Sequence, residues 1–258
     1  MNRNSALIFK RVQSAWNDIR SIMQKMYPGT DIRPYGAYDV FSADPSSAPS
    51  EAKFLVNPVV FKVPERATHP VANLFVVVSG WLSFESADLR SGQLFTKSFG
   101  TRTGYFRAKN GILEHVYGAH YDIAEDALGH PVFHSQIAPQ LDFAADTELR
   151  YRLQLDLQDK VGPILRGVRT PSAQMDVFSV IIQICADHLL HADSGIEVQN
   201  AFSALRESCD FFTGAAHRMS QLTSTRASSC YRSTHWYESL ADFRRCCHND
   251  ETLINSDT

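Results

Sequence analysis

The chain has 258 residues, a formal net charge of −3, and apolar and charged fractions that are ordinary for a globular protein. This charge excludes a strongly basic nucleic-acid-binding protein, although it is compatible with a local basic patch. No apolar run is long enough to span a membrane, and residues 1–10 lack the pattern of a secretory signal. Five cysteines at irregular spacing do not form a disulfide framework, so the sequence predicts a cytoplasmic protein.

The N-terminal segment carries apolar residues at alternating spacings of four and three, which is typical of an amphipathic helix. Ile8, Val12 and Ile19 belong to this apolar stripe. Ser5 fits an N-cap and Pro28-Gly29 would end the run, so we predict a helix over residues 5–27.

The period changes to two between residues 32 and 143, which predicts a mostly antiparallel sheet of about six to seven strands. Two of these strands are predicted separately, at 93–101 and 103–109. Asn110-Gly111 accepts positive φ at both positions and therefore predicts a two-residue hairpin turn. That turn sets the cross-strand pairs Lys109–Ile112, Arg107–Glu114, Phe106–His115 and Tyr105–Val116.

The remaining sequence is predicted to be helical. Thr170-Pro171 fits a cap followed by proline at the first helical position, and two apolar faces then predict a helical hairpin within residues 171–219. Residues 220–258 are polar and rich in Ser, Thr and Arg, which predicts a flexible tail. The sequence therefore predicts an α+β fold with one domain over residues 1–219.

The stretch from His120 to Gln136 carries most of the chemistry. Because side chains alternate across a strand, one face would bear the polar residues His120, Asp122, His130, His134 and Gln136. A register with Asp122 opposite His130 would place Gly118 opposite His134 and leave space there for a ligand. The hairpin would add Tyr105, Arg107 and Glu114 to this surface, whereas His115 would belong to the core row.

Two chemistries fit this surface. In the first, a divalent metal such as zinc or manganese is bound by His120, Asp122, His130 and His134. In the second, His120 and His134 share proton transfers, Arg107 steadies a phosphate, and Tyr105 and Gln136 contact the substrate. Either chemistry would suit a nuclease or phosphoesterase.

Support for nucleic acid as the partner is limited. Basic and aromatic residues alternate between residues 95 and 109 and could line a nucleic-acid path. Strand parity, however, places Arg102 and Arg107 on opposite faces of the sheet, which weakens that interpretation.

Two non-catalytic interpretations remain open. The histidines could be hydrogen-bonded groups of a structural patch. Alternatively, the chain could be an accessory or interaction protein, for example of a toxin–antitoxin or defence system. In that case a protein partner would bind the polar face or the aromatic-bearing tail, which includes Trp236.

The run His130-Pro131-Val132-Phe133-His134 lies between Tyr121-Asp122 and Arg169-Thr170-Pro171. This order resembles an uncharacterised bacterial domain-of-unknown-function family with a Tyr-Asp strand, a His-Pro-x-x-His strand and an Arg-x-Pro helix start. The resemblance covers roughly Gly118 to Leu190. It implies a sheet followed by helices and a bacterial or phage-related source, and it brings no activity. It adds Arg169 as a substrate-binding candidate, because an arginine just before a helix could reach the polar face.

Overall fold

The structure is a computed structural model that describes residues 3–27, 32–34, 39–44, 51–63, 74–85, 94, 96–123, 133–137, 154–159, 169–172, 175–191 and 193–213. The helices are α1 (Arg3–Met26), α2 (Val177–His188) and α3 (Ile196–Thr213). The strands are β1 (Ile32–Pro34), β2 (Phe41–Ala43), β3 (Glu51–Lys62), β4 (Leu74–Glu85), β5 (Thr96–Lys109), β6 (Ile112–Ile123), β7 (Phe133–Ile137), β8 (Asp156–Asp159) and β9 (Arg169–Pro171). The predicted tail, residues 220–258, lies outside the described residues.

The described strands form one sheet in the order β1-β3-β4-β5-β6-β7-β9, with β2 paired to β3 and β8 paired to β6. Every pairing is antiparallel except that of β8 with β6. The predicted α+β class with a mostly antiparallel sheet is therefore confirmed. β8 and β9 were not predicted, because strands this short show no clear period in the sequence.

A single irregularity in the β5–β6 hairpin decides which residues share a face. Asn110 and Gly111 have φ of 51° and 75°, as the predicted turn requires. The first three pairs follow the prediction, but Tyr105 then pairs with Tyr117 because Val116 is an extra residue in β6. Such a β-bulge reverses the alternation, so β6 residues of equal parity on its two sides lie on opposite faces.

One side of the sheet, here called the helix face, is covered by α1 and α2, and α3 packs on these two helices. Large apolar side chains from each helix are completely buried in the core on this side, including Ile19 of α1, Phe178 of α2 and Leu205 of α3. The other side, here called the opposite face, carries a smaller apolar cluster of Val60, Val77, Phe106 and Leu113 near the hairpin. No helix in the described part of the chain combines the length and apolarity needed to cross a bilayer.

Three boundary predictions were wrong. α1 begins at Arg3, so Ser5 lies inside the helix and is not its N-cap. β5 is one continuous strand rather than two. Thr170 and Pro171 belong to β9 and do not start a helix, which fits an edge strand because proline has no N–H to contribute to the ladder. α2 begins only at Val177, where the Asp176 carboxylate accepts a hydrogen bond of 2.9 Å from the backbone N–H of Ser179.

Candidate acid–base site

The pairing of β6 with β7 brings the polar residues together in a register that differs from the predicted one. Asp122 lies opposite His134 and His120 lies opposite Gln136. The predicted pairing of Asp122 with His130 is wrong by four residues, although the shared face is the predicted one because the shift is even. The sequence of residues 124–132 has no Asn-Gly or Asp-Gly pair that would set the register. His130 lies outside the described residues.

Asp122 stands between two imidazoles. Its Oδ1 is 3.0 Å from Nδ1 of His134, and its Oδ2 is 3.5 Å from Nε2 of His120. The His134 side chain is only 2% exposed, whereas those of His120 and Asp122 are 32% and 28% exposed. One carboxylate therefore lies within ion-pair distance of both an accessible imidazole and a buried one.

Arg102 of β5 lies directly across from His120 in the sheet register, and its side chain is exposed. Burial lowers the pKa of His120 below its usual value, and the charges of Arg102 and His134 lower it further, against the opposing effect of Asp122. His120 is therefore neutral at neutral pH, which is the form that accepts a proton.

The donor geometry bears on the predicted metal site. Within the described residues, no group of three or more His, Cys, Asp and Glu side chains is placed to hold a metal ion. The two oxygens of Asp122 face different imidazoles at ion-pair distances, whereas ligands to zinc converge on one point at about 2.0–2.2 Å. Because His130 is not described, the four-residue metal site remains a prediction.

The predicted placement of Tyr105, Arg107 and Glu114 beside the histidines is wrong. After the bulge, Tyr105 and Arg107 share the helix face, so they point away from His120. Arg107 Nε donates a hydrogen bond of 2.8 Å to Glu114 Oε2, and Nη2 contacts the same oxygen. This cross-strand ion pair occupies the guanidinium that was predicted to hold a phosphate.

Tyr105 belongs to an aromatic group under α2. Its ring centroid lies 5.6 Å from that of Tyr117 and 5.7 Å from that of His188. Burial, together with the charges of Asp187 and Tyr117, raises the pKa of Tyr105 to about 12. Its hydroxyl therefore stays protonated at neutral pH, far from the predicted substrate position.

The sequence predicts that His115 belongs to the core row. The structure confirms that it is buried but places it on the opposite face of the sheet. It shares the opposite face with His120, is 4% exposed and stacks on Phe106 with centroids 5.1 Å apart. A Cβ at Gly118 would lie 2.9 Å from His115 Nε2. The space at Gly118 therefore accommodates His115, and not a ligand beside His134 as predicted.

One cross-strand row joins two arginines, a histidine and a glutamine. In register, Arg102, His120, Gln136 and Arg169 follow one another across β5, β6, β7 and β9. Arg169 reaches this row as part of an edge strand, not from the start of a helix. Arg102 was overlooked in the sequence because, without the bulge, parity assigns Arg107 to the histidine face.

Comparison with known proteins gave no match: no family model, no curated protein and no solved structure matches this chain. The resemblance to a bacterial domain-of-unknown-function family stays a prediction. The site itself offers a neutral imidazole, a carboxylate 3.5 Å from it and an exposed arginine on the adjacent strand. Together these groups can move a proton next to a bound anion.

Proposed function

We propose that this protein is a phosphoesterase or nuclease that uses acid–base chemistry on the opposite face of its sheet. The observation that carries the proposal is the position of Asp122 between His120 and His134, with Arg102 directly across from His120. A bacterial source and a cytoplasmic location are part of the proposal, and the irregular cysteine spacing supports the location.

His120 is the proposed general base. Its neutral imidazole takes the proton from an attacking hydroxyl or water, whose oxygen forms a bond to phosphorus while the leaving oxygen departs and takes a proton from solvent. Arg102 binds the phosphate oxygens, because a guanidinium donates two parallel hydrogen bonds to such an anion and stabilises the charge of the transition state.

Asp122 and His134 are proposed to position His120. The carboxylate of Asp122 fixes the orientation of the His120 ring, and the buried His134 holds the carboxylate from the other side. Gln136 lies across from His120 on β7 and can hydrogen-bond a substrate oxygen.

The test is cleavage of bis-p-nitrophenyl phosphate and of short single-stranded RNA in the presence of EDTA. We expect His120→Ala to lower kcat/KM by about 10²–10⁴-fold, which is the usual contribution of a general base. Arg102→Ala should lower it by about 10²-fold or more. Arg107→Ala should have a smaller effect than Arg102→Ala, and Arg20→Ala on the exposed side of α1 is the control that leaves the rate unchanged.

Three outcomes would contradict the proposal. The first is full activity of the His120→Ala variant, and the second is activity that EDTA abolishes and one divalent metal restores. The third is cleavage of neither substrate by a folded wild-type protein, which would favour the alternative, a non-catalytic accessory or interaction protein of a toxin–antitoxin or defence system. Thermal unfolding of each variant ensures that lost activity is not lost folding.

A further inference from the structure

An aromatic side chain lies on the same face as the acid–base site. Trp81 of β4 pairs with Gly100 of β5, which pairs with Asp122 of β6. Two strand spacings therefore separate the backbones of Trp81 and Asp122, about 10 Å. Arg102 follows Gly100 two residues along β5, about 7 Å away on the same face. By the same spacings, the backbone of Trp81 lies about 8 Å from that of Arg102 and about 12 Å from that of His120.

The indole leans towards the site. A Cβ at Gly100 would lie 2.5 Å from Trp81 Nε1 and 3.0 Å from Cε2, so the indole occupies the space that any larger residue would fill. A glycine here lets the ring lie over β5, on the strand that also carries Arg102. The ring is only partly buried, which leaves part of it accessible.

Besides Arg102 on β5, a second cation lies next to the Trp81 ring. The Lys53 ammonium lies 4.6 Å from the Trp81 ring centroid and 3.5 Å from Asp44, with its side chain 34% exposed. Because this cation–π contact is solvated, it is weak and a stacking ligand can displace it. The displaced ammonium would then meet the negative charge of the same ligand, as Arg102 does on the other side.

We propose that Trp81 is a stacking platform for a nucleobase and that the substrate of the site is single-stranded nucleic acid. This inference rests on the proposed function, because it assigns the phosphate of the same ligand to Arg102 and His120. A flat aromatic ring between two cations matches a base attached to a phosphate backbone, and every base has a face that can stack. Aromatic rings also bind neutral sugars, but the two cations, Lys53 and Arg102, favour the anionic nucleic acid over a neutral sugar.

The experiment measures binding without cleavage. His120→Ala protein is titrated with a fluorescently labelled single-stranded oligonucleotide and with an abasic oligonucleotide of the same backbone. We expect the normal oligonucleotide to bind about 5- to 150-fold more tightly, because each stacked base contributes by that factor. Adding Trp81→Ala should remove the difference, and Trp81→Phe should restore part of it.

Leu7→Ala is the matched control, because Leu7 is an exposed apolar residue of α1 on the other side of the sheet. Equal affinity for the normal and abasic oligonucleotides would overturn the platform, as would a Trp81→Ala variant that keeps the difference. Preference for a neutral oligosaccharide over the oligonucleotide would overturn it too. Each of these results leaves the dependence of cleavage on His120 unaffected, so failure of this inference is distinguishable from failure of the proposed function.

Discussion

The two faces of the sheet show how one set of strands supports two different tasks. The helix face lies under α1 and α2, which α3 covers in turn, and its apolar side chains are almost completely buried. The opposite face has a small apolar cluster at its hairpin end, followed along β6 by His120 and Asp122, which are about one-third exposed. Buried apolar area is therefore concentrated on the helix face, whereas the opposite face carries partly exposed charged groups.

The largest expected effect on stability comes from the helix face. Phe178 is completely buried and stacks on Phe41 with centroids 6.3 Å apart. We expect Phe178→Ala to lower the free energy of unfolding by about 3–5 kcal/mol, because it removes buried area and leaves a cavity. Urea unfolding measures the change. Leu55→Ala is the control, since Leu55 is 42% exposed on the opposite face. Equal losses in the two variants would contradict the greater contribution of the helix face to stability.

A smaller loss is expected at Gly118 on the opposite face. Gly118→Ala places a Cβ 2.9 Å from Nε2 of the buried His115, so either the ring or β6 must shift. We expect a loss of about 1–3 kcal/mol from this overpacking. Gly195→Ala is the matched control, because a Cβ there meets nothing within 4 Å. A neutral Gly118→Ala would mean that His115 does not occupy this space.

The pKa of His120 is expected to respond to its neighbours in opposite directions. NMR titration of His120 should give a pKa below the usual value of about 6.5, because burial disfavours the charged ring. Arg102→Ala should raise this pKa, since Arg102 lowers it, and Asp122→Asn should lower it, since Asp122 raises it. His120→Gln identifies the resonance, and shifts of the same sign in both variants would contradict the assigned geometry.

The same shift has a consequence for stability. The folded protein binds the His120 proton less readily than the unfolded chain does. The contribution of His120 to the free energy of unfolding is therefore fully present above about pH 6.5. It is lost as the pH falls from there through the lower pKa of the folded state. Urea unfolding of wild type and His120→Gln should therefore give a difference between the two proteins that changes across this window and is constant above it.

The smallest effect is expected at Arg107. Its ion pair with Glu114 lies at the edge of the helix face, with side chains 36% and 15% exposed. A double-mutant cycle of Arg107→Ala and Glu114→Ala should give a coupling of about 0.2–1 kcal/mol that decreases with added salt. A coupling of several kcal/mol would show that this pair is part of the core, which would contradict its position at the edge of the helix face.

Much of the fold could be predicted because its signals are local. The four-and-three spacing in α1 and the Asn110-Gly111 turn depend on residues that are neighbours along the chain. The start of α2 was predicted too early, since Thr170-Pro171 has the same local signature as a helix start and only pairing with β7 makes it a strand. A three-residue edge strand depends on its partner for every hydrogen bond between strands.

The candidate site was predictable in part. The sharing of one face by His120, Asp122, His134 and Gln136 follows from alternation within β6 and β7, which the sequence displays. The partners on β5 were not predictable, because parity was counted across the position of a bulge. Val116 has nothing in its own identity that marks it as the extra residue.

The sequence is sufficient to predict the α+β class, the β5–β6 turn and the face shared by His120, Asp122 and His134, since each depends on periodicity or on the φ preference of one or two residues. The folded sheet is needed to place Arg102, and not Arg107, across from His120, and to place Asp122 opposite His134. The physical reason is packing on both sides of the sheet. Tyr117, Ala119 and Tyr121 can face the helices only if β6 takes up one extra residue, and that residue turns His120 towards Arg102.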